Sequence, residues 1–383
     1  MIPNFKDFIE QKPLFYKEID YTRVHNAYAI IKNKIKRAKK IIHIVGTNGK
    51  GSTGRTIAHL LHKKGYSVTH YSSPHILKFN ERIWIDSKDI SDAILEESHK
   101  RLYSLLKKKI SDELTYFEYT TLLAFISAQN SDILVLEAGL GGEFDATSVG
   151  IRDLTIITPI GLDHQDFLGD TIDKIATTKI NSIQKKVLLS FETPLEIKNI
   201  AKKIADKKDA KYYFSEDLID NVEILKIKEA CKKVNINGYL IDNIITGISS
   251  LKLLNLKYDI DDLMTLKLFG RFYKIKDNIT IDVGHNPLAA KAISQALGHK
   301  KIVLIYNSLE DKDYISVLSI LKNNIKRVEI ISVDTPRILD KSKLIKSLKN
   351  LNIDYSNFKS VDNLEEYLVF GSFFVVESFL EKN

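Results

Sequence analysis

The chain has 383 residues, of which 44% are hydrophobic, and it carries a formal net charge of +8. This length exceeds what one hydrophobic core usually organises, so we expect two globular domains. Its one cysteine, Cys231, excludes an intramolecular disulfide and a zinc site with several thiolates. The N-terminus lacks the features of a secretory signal, and no apolar stretch is long enough to span a bilayer, so we expect a cytoplasmic protein without membrane contacts.

The excess of positive charge would suit nucleic-acid binding if the basic residues were clustered. Here the lysines are scattered, and the denser stretches at 34–40 and 107–109 do not interleave with aromatic residues. A solvated, lysine-rich surface explains this pattern, and no nucleic-acid partner is predicted. The same positive field favours polyanionic small molecules such as ATP.

The first two thirds of the chain alternate between predicted strands and helices. Helical periodicity dominates residues 5–38, and the continuous apolar, β-branched run at 41–45 then predicts a parallel strand covered on both faces. The next helix is predicted at 52–64, where Gly65 caps it. Further strands are predicted at 66–73, 133–137 and 154–160, and further helices at 89–109 and 117–129. This order predicts an α/β domain with a mostly parallel sheet, which binds ligands at the carboxyl ends of its strands.

A second series of strands and helices begins after residue 267. Strands are predicted at 279–284, 301–306 and 327–333, a helix begins at Pro287, and the apolar stretch from Val369 to Leu380 is interpreted as a final buried strand. We therefore predict a first domain at 1–267 and a smaller, Rossmann-like α/β domain at 268–383.

A glycine-rich segment, GTNGKGS at 46–52, lies between the first predicted strand and the helix that follows. Glycines allow backbone N–H groups to point at phosphate oxygens, Lys50 neutralises the phosphates, and the Ser52 hydroxyl can bind Mg²⁺. Gly51 interrupts the strict P-loop pattern, and the alternative is a glycine-rich turn with a chance lysine. The flanking strand and helix favour the phosphate-binding interpretation.

Polar residues follow other predicted strands. Glu137 closes the apolar run ILVLE, and His164 follows the strand at 154–160, so both are expected near the P-loop as metal ligands. The alternatives are a surface-capping carboxylate and a purely structural histidine. In the second domain, Asn286 is predicted to cap the helix that starts at Pro287, which leaves Asp282 available for a ligand.

These segments together resemble the folylpolyglutamate synthases and dihydrofolate synthases of the Mur ligase superfamily. The resemblance runs from about residue 20 to the C-terminus and is carried by GTNGKGS at 46–52, SSPH at 72–75, ERI at 81–83, LEAGLGGEFDAT at 136–147, GLDHQDFLGDT at 161–171, GRF at 270–272, DVGHNP at 282–287 and DKD at 311–313. It implies an ATP- and Mg²⁺-dependent ligase that adds L-glutamate to dihydropteroate, to a (tetrahydro)folate, or to both through an acyl phosphate. A monomer is implied as well.

The resemblance also assigns site residues. It implies that ATP is bound by Thr47, Asn48, Gly49, Lys50, Gly51, Ser52, Asn243, Arg271 and Asp282. One Mg²⁺ would be held by Ser52 and Glu137, and a second by Ser73, Glu137 and His164. The pteridine substrate would contact Thr115, Tyr116, Phe117, Glu118, Phe144, Asp145 and Ala146. Lys50, His164 and Lys179 would be catalytic, and the lysine that Lys179 matches is carbamylated in many members.

The chain departs from the family pattern at a few positions. Glu143 replaces the usual arginine, Ser148 replaces a common asparagine, residues 180–183 replace an Ala-Gly-Ile segment, and the His-Gln pair before Asn243 is missing. Two alternatives stay open at this level. Another Mur-type ligase, acting on a cell-wall precursor, would share the ATP site, and a regulatory or nucleic-acid-binding P-loop protein would leave Glu137, His164 and Asp282 without a role.

Overall fold

The strands of the protein form two separate sheets in a computed structural model that describes residues 2–13 and 20–383. The chain divides into two units: unit 1 comprises residues 1–160, 164–231 and 242–266, and unit 2 comprises residues 161–163, 232–241 and 267–383. Unit 2 thus includes two short segments that precede residue 267. Within the described ranges, no helix combines the length and the apolar character that a membrane span requires.

The sheet of unit 1 is mostly parallel. Its strands are β1 (Lys40–Val45), β2 (Val68–Tyr71), β3 (Ile83–Ile85), β4 (Lys88–Asp89), β5 (Ile133–Glu137), β6 (Leu154–Ile157), β7 (Lys186–Leu189) and β8 (Lys211–Phe214). They are arranged in the order β4-β3-β2-β5-β1-β6-β7-β8. The pairs β2–β3 and β3–β4 are antiparallel. The other neighbouring pairs in this sheet, β2–β5, β5–β1, β1–β6, β6–β7 and β7–β8, are parallel.

Helices connect these strands and cover the sheet. They are α1 (Phe5–Glu10), α2 (Tyr21–Ile31), α3 (Lys50–Lys63), α4 (Asp92–Glu113), α5 (Tyr116–Ser127), α6 (Gln165–Leu168), α7 (Ile172–Ile180), α8 (Leu195–Lys207), α9 (Ser215–Leu218), α10 (Asn221–Lys233) and α11 (Tyr239–Leu253). The residues from Ile41 to Val45 on β1 are fully buried, as expected for a strand covered on both faces. Gly65 follows α3 with φ +83, which confirms the predicted cap.

Unit 2 contains the smaller sheet, in the order β13-β12-β11-β14-β10-β9. Its elements are β9 (Tyr273–Lys276), β10 (Ile279–Asp282), α12 (Pro287–Leu297), β11 (Ile302–Tyr306), α13 (Tyr314–Leu321), β12 (Ile325–Ile330), α14 (Lys341–Asn350), β13 (Tyr355–Asn357), β14 (Tyr367–Phe370) and α15 (Phe373–Lys382). The edge strand β9 pairs antiparallel with β10, and the other pairings are parallel. The predicted α/β fold class with a second, smaller α/β domain is confirmed.

The interpretation of 369–380 as one strand is wrong. The strand ends at Phe370, and the Ser372 side chain then accepts a hydrogen bond from the backbone N–H of Val375 to cap α15. Short apolar runs do not distinguish a buried strand from a buried helix, because both expose little surface.

The predicted cap of α12 is confirmed: the Asn286 side chain accepts from the N–H of Ala289, and Pro287 occupies the first helical position.

Candidate active site at the carboxyl edge of the first sheet

Consecutive strands of the first sheet bring the predicted site residues to one edge. The order β2-β5-β1-β6 places β5 between β2 and β1, with Ile44 of β1 beside Glu137 of β5. Tyr71, two residues before Ser73, lies beside Leu136 on the other side of β5. Since parallel strands end at the same edge, Ser73, Glu137 and the P-loop share it.

The P-loop turns sharply between β1 and α3. Gly49 has φ +84 and is the N-terminal cap residue of α3, and Gly46 approaches β6 so closely that a Cβ atom there would lie 2.0 Å from Thr158 Oγ1. The backbone N–H groups of Thr47 and Asn48 donate to the carbonyl of Pro159 at 2.9 and 3.2 Å. The first turn of α3, which includes Gly51 and Ser52, therefore begins at this edge with its N–H groups directed toward a ligand position.

Two lysine ammonium groups meet at the first carbonyl of this loop. Lys50 Nζ donates to the carbonyls of Gly46 at 3.1 Å and Thr47 at 3.2 Å, and Lys179 Nζ donates to the same Gly46 carbonyl at 3.0 Å. Lys179 lies on α7 and is only 5% exposed. The structure thus brings Lys179, predicted from a distant segment, to the P-loop beside Lys50.

Asn243 also lies against the P-loop. Its Nδ2 donates to Ser52 Oγ at 2.8 Å, and Ser52 Oγ donates to the carbonyl of Gly49 at 3.1 Å. A Cβ atom at Gly49 would lie 2.5 Å from Asn243 Oδ1, so the amide packs directly on the turn. Asn243 is 3% exposed and Ser52 is 1% exposed. The predicted nucleotide-binding residue is therefore in contact with the predicted phosphate-binding loop.

Three of the four residues predicted to hold Mg²⁺ carry the oxygen ligands that suit that ion, and the fourth, His164, carries a nitrogen ligand. Glu137 supplies a buried carboxylate, Ser52 and Ser73 supply hydroxyls, and exposed His164 supplies an imidazole. Hard oxygen ligands are those that Mg²⁺ prefers, and it keeps several waters, so few protein ligands suffice. In the described part of the chain, no group of three or more His, Cys, Asp or Glu residues could hold a metal. The predicted ligand sets contain at most two residues of these types, so they do not require such a group.

His164 has an unusual backbone conformation. It is the residue before α6 and has φ +51 and ψ +42, a left-handed geometry that few residues other than glycine adopt. Its carbonyl accepts hydrogen bonds from the N–H groups of Phe167 and Leu168, both at 3.0 Å. Such strain persists only where the surrounding structure holds it, and it is frequent at functional sites.

Aromatic residues lie beside the loop that follows β5. A Cβ atom at Gly139 would lie 2.6 Å from the Phe117 ring, so the ring packs directly on that loop. The Arg82 guanidinium lies 5.1 Å from the centre of the Tyr116 ring, and Arg82 Nε donates to His75 Nδ1 at 2.8 Å. Burial, and then the charge of Arg82, lower the pKa of His75 to about 4, so that it is a neutral acceptor at pH 7.

Four of the predicted substrate residues form structural contacts. Thr115 and Glu118 form a capping box at the start of α5, and Glu118 also accepts from Arg23 Nε at 3.1 Å. The Asp145 carboxylate accepts from the N–H groups of Gly139 and Leu140, and burial raises its pKa despite these hydrogen bonds. Ala146 is buried in the core. These four residues thus have structural contacts within the protein.

Phe144 differs from these residues because its side chain is 51% exposed. It follows Glu143, whose carboxylate accepts from Asn181 Nδ2 at 2.8 Å. Both Glu143 and Asn181 lie where the chain departs from the family pattern, so the two departures contact each other. The exposed ring of Phe144 leaves an aromatic face available to solvent.

Arg271 and Asp282, predicted to contact nucleotide, lie in unit 2. The sequence predicts a free Asp282 carboxylate, but in the structure this group is hydrogen-bonded. It accepts from Tyr239 Oη at 2.7 Å and from the N–H groups of Phe272 and Gly284 at 2.8 and 2.7 Å. Burial raises its pKa. The Arg271 guanidinium lies 5.2 Å from the centre of the Phe373 ring. Asp282 thus organises the end of β10.

The sequence did not single out Arg55 or Arg82. Arg55 lies three residues after Ser52 on α3, its guanidinium is 4.9 Å from the Trp84 ring, and it interacts electrostatically with Glu137. Burial lowers the pKa of Arg55 to about 10, which leaves it charged at pH 7. The spacing of three residues from Ser52, which places both on one helix face, is the signal that could have identified Arg55.

Comparisons with known proteins find similar chains, although no family model matches the sequence. The dihydrofolate synthase/folylpolyglutamate synthase of Haemophilus influenzae is 30% identical over 390 residues, covering 88% of each chain. The crystal structure of Helicobacter pylori folylpolyglutamate synthetase is 36% identical, with a TM-score of 0.79 and coverage of 100% of this chain and 99% of that one. A bifunctional Yersinia pestis folylpolyglutamate synthase/dihydrofolate synthase, solved with AMPPNP and Mn, has the same fold at 23% identity, with a TM-score of 0.82 and coverage of 99% and 97%. The chain therefore belongs to the dihydrofolate synthase/folylpolyglutamate synthase family.

Proposed function

We propose that this protein is an ATP-dependent ligase that adds L-glutamate to dihydropteroate, to tetrahydrofolate, or to both, through an acyl-phosphate intermediate. The observation that carries the proposal is the convergence of the P-loop, Glu137 and Ser73 at the ends of adjacent strands, with Lys179 bonded to the P-loop. Family membership supports the same activity.

The triphosphate of ATP would bind at the N-terminus of α3. The loop amides from Gly49 to Ser52 and the ammonium of Lys50 would provide donors and positive charge for the phosphates, whereas the N–H groups of Thr47 and Asn48 already donate to the Pro159 carbonyl. Asn243, already in contact with Ser52, would limit where the nucleotide can lie. Arg271 and Asp282 are proposed nucleotide-binding residues from the family resemblance.

Ser52 and Glu137 would hold one Mg²⁺ ion, and Ser73, Glu137 and His164 a second. When bound, Mg²⁺ offsets the negative charge of the phosphoryl group that is transferred. Arg55 interacts electrostatically with Glu137 and so adds a positive charge near the same carboxylate. Lys179, buried beside Gly46 and bonded to its carbonyl, would hold the P-loop next to the phosphates.

The reaction needs an activated carboxylate, because a carboxylate does not condense with an amine in water. The pteridine would lie against Phe117, Tyr116 and Phe144, so that the carboxylate of the substrate reaches the γ-phosphorus of ATP. A carboxylate oxygen of the substrate attacks the γ-phosphorus. The bond between that phosphorus and the oxygen that bridges it to the β-phosphate breaks, and ADP leaves. The glutamate amine then attacks the acyl carbon and loses a proton, phosphate departs, and Lys50 stabilises the charge that develops on oxygen.

The test is an ADP-release assay on the purified full-length protein with ATP, Mg²⁺ and L-glutamate, in which dihydropteroate or tetrahydrofolate is the acceptor. We expect ADP release that requires both glutamate and a pteridine acceptor, and a product heavier than its acceptor by one or more glutamate residues. ADP release with a nucleotide-linked cell-wall precursor, and none with either pteridine, would contradict the proposal. ATP hydrolysis that responds to no carboxylate and amine pair would contradict it as well.

We also propose that the enzyme acts as a cytoplasmic monomer. The single cysteine supports the location, since it suits a reducing compartment, and the family resemblance supports the monomer. Light scattering after size-exclusion chromatography would give a mass near 43.7 kDa for a monomer.

A further inference from the structure

A buried ionic cluster surrounds Asp163, the residue before His164. Asp163 Oδ1 accepts a hydrogen bond from Lys312 Nζ at 2.9 Å, and Asp163 Oδ2 accepts one from Asn286 Nδ2 at 3.1 Å. His285 Nε2 lies 3.6 Å from the same Oδ2. The side chains of Asp163 and Lys312 are only 10% and 5% exposed, so this ion pair is far less solvated than a surface pair.

The loop that carries Asp163 is closely packed as well. Gly161 is buried, and a Cβ atom there would lie 3.0 Å from Leu288 Cδ2, in the first turn of α12. Asn286, which contacts Asp163, is also the cap of α12. The short segment 161–163 is therefore held both by packing and by charge, and it belongs to unit 2.

His164 comes immediately after this segment, belongs to unit 1, and has the left-handed φ of +51. A non-glycine residue keeps such a conformation only if its neighbours are fixed. We propose that Asp163 is a positioning residue: its ion pair with Lys312 and its bond to Asn286 fix the left-handed backbone conformation of the adjoining His164, a proposed metal ligand. This inference rests on the proposed function, in which His164 is a metal ligand.

The chemistry of the cluster supports a positioning role over one in stability. A buried ion pair pays a large desolvation penalty, and apolar residues of similar volume often stabilise a protein equally well. A charge pair, however, fixes direction more strictly than an apolar contact does. Lys312 also lies 3.6 Å from Asp311, but Asp311 is 37% exposed and pairs with Arg337 at 2.7 Å.

The test compares Asp163→Asn, the double variant Asp163→Asn/Lys312→Met, and a matched control, Asp170→Asn. Asp170 pairs with Lys174 at the same 2.9 Å, but those side chains are 74% and 64% exposed. Mn²⁺ binding is measured by electron paramagnetic resonance in the presence of AMPPNP, and thermal unfolding is measured in parallel. The double variant is needed because Asp163→Asn alone leaves the Lys312 charge buried without its partner.

We expect Asp163→Asn to weaken Mn²⁺ binding by about 10- to 100-fold, as changes to residues that orient metal ligands usually do, while Asp170→Asn binds like the wild type. The double variant should regain thermal stability and still bind Mn²⁺ weakly. Unchanged Mn²⁺ binding by Asp163→Asn, or its full recovery together with stability in the double variant, would overturn the positioning role. The proposed function fails separately, if wild-type protein shows no glutamate-dependent ADP release.

Discussion

Replacing Gly49 by alanine tests how closely Asn243 packs on the P-loop. Gly49 has φ +84, and a Cβ atom there would lie 2.5 Å from Asn243 Oδ1 and 3.1 Å from Asn243 Cγ. Gly65, at the other end of α3, has φ +83 and has no described heavy atom within 4 Å of the same position. The two glycines therefore share the backbone strain and differ in the steric contact.

The left-handed conformation should cost about 1–2 kcal/mol in either alanine variant. The contact with Asn243 adds about 1–3 kcal/mol at Gly49, which is typical of overpacking at a buried position. We therefore expect Gly49→Ala to lower the free energy of unfolding by about 2–5 kcal/mol in urea, and Gly65→Ala to lower it only by the cost of strain.

The double variant Gly49→Ala/Asn243→Ala removes the steric contact and keeps the strain. It should be more stable than Gly49→Ala, although it loses the hydrogen bond from Asn243 to Ser52, which contributes about 0.5–1.5 kcal/mol. Equal losses of stability for Gly49→Ala and Gly65→Ala would refute the packing of Asn243 on the loop.

Three other predictions concern the proposed pteridine-binding residues and the neighbouring His75. Phe144→Ala should raise the KM for the pteridine substrate by about 2- to 10-fold, because it removes one aromatic contact. It should change the free energy of unfolding by less than about 0.5 kcal/mol, because this side chain is half exposed. Nuclear magnetic resonance should show His75 neutral down to a pKa of about 4, and Arg82→Gln should raise that pKa. Because this pKa is below the unfolded value of about 6.5, the stability due to neutral His75 is present above pH 6.5 and declines as pH falls toward 4. Thr115→Ala should lower the free energy of unfolding by about 1 kcal/mol in urea, because it removes the cap shared with Glu118.

Much of the fold could be predicted because local sequence dominates there. The buried strands β1 and β5 are continuous apolar runs, and Asn286-Pro287 marks the start of a helix through capping chemistry alone. The P-loop was recognisable because its glycines and Lys50 are adjacent in sequence. In contrast, the stretch at 369–380 has no period that separates strand from helix, and its interpretation as a strand was wrong.

Contacts between distant segments could not be predicted from local patterns. The bond from Lys179 to Gly46 joins residues 133 positions apart, and the ion pair of Asp163 with Lys312 joins residues 149 apart. Asp282 was expected to be available for a ligand, but Tyr239 and two backbone N–H groups bind it in the folded chain. Such partners are set by how strands and helices are arranged.

The most direct test of the account is the substitution Glu137→Gln, because Glu137 is the carboxylate shared by both proposed metal positions. Glu329→Gln is the matched control, since Glu329 is a similarly buried glutamate, on β12 beside Arg327. We predict that Glu137→Gln lowers glutamate-dependent ADP release by at least about 10²- to 10³-fold, a loss typical of removing one electrostatic contact to the reacting group, while Glu329→Gln remains active. Folded Glu137→Gln protein that releases ADP at the wild-type rate would contradict the proposed site.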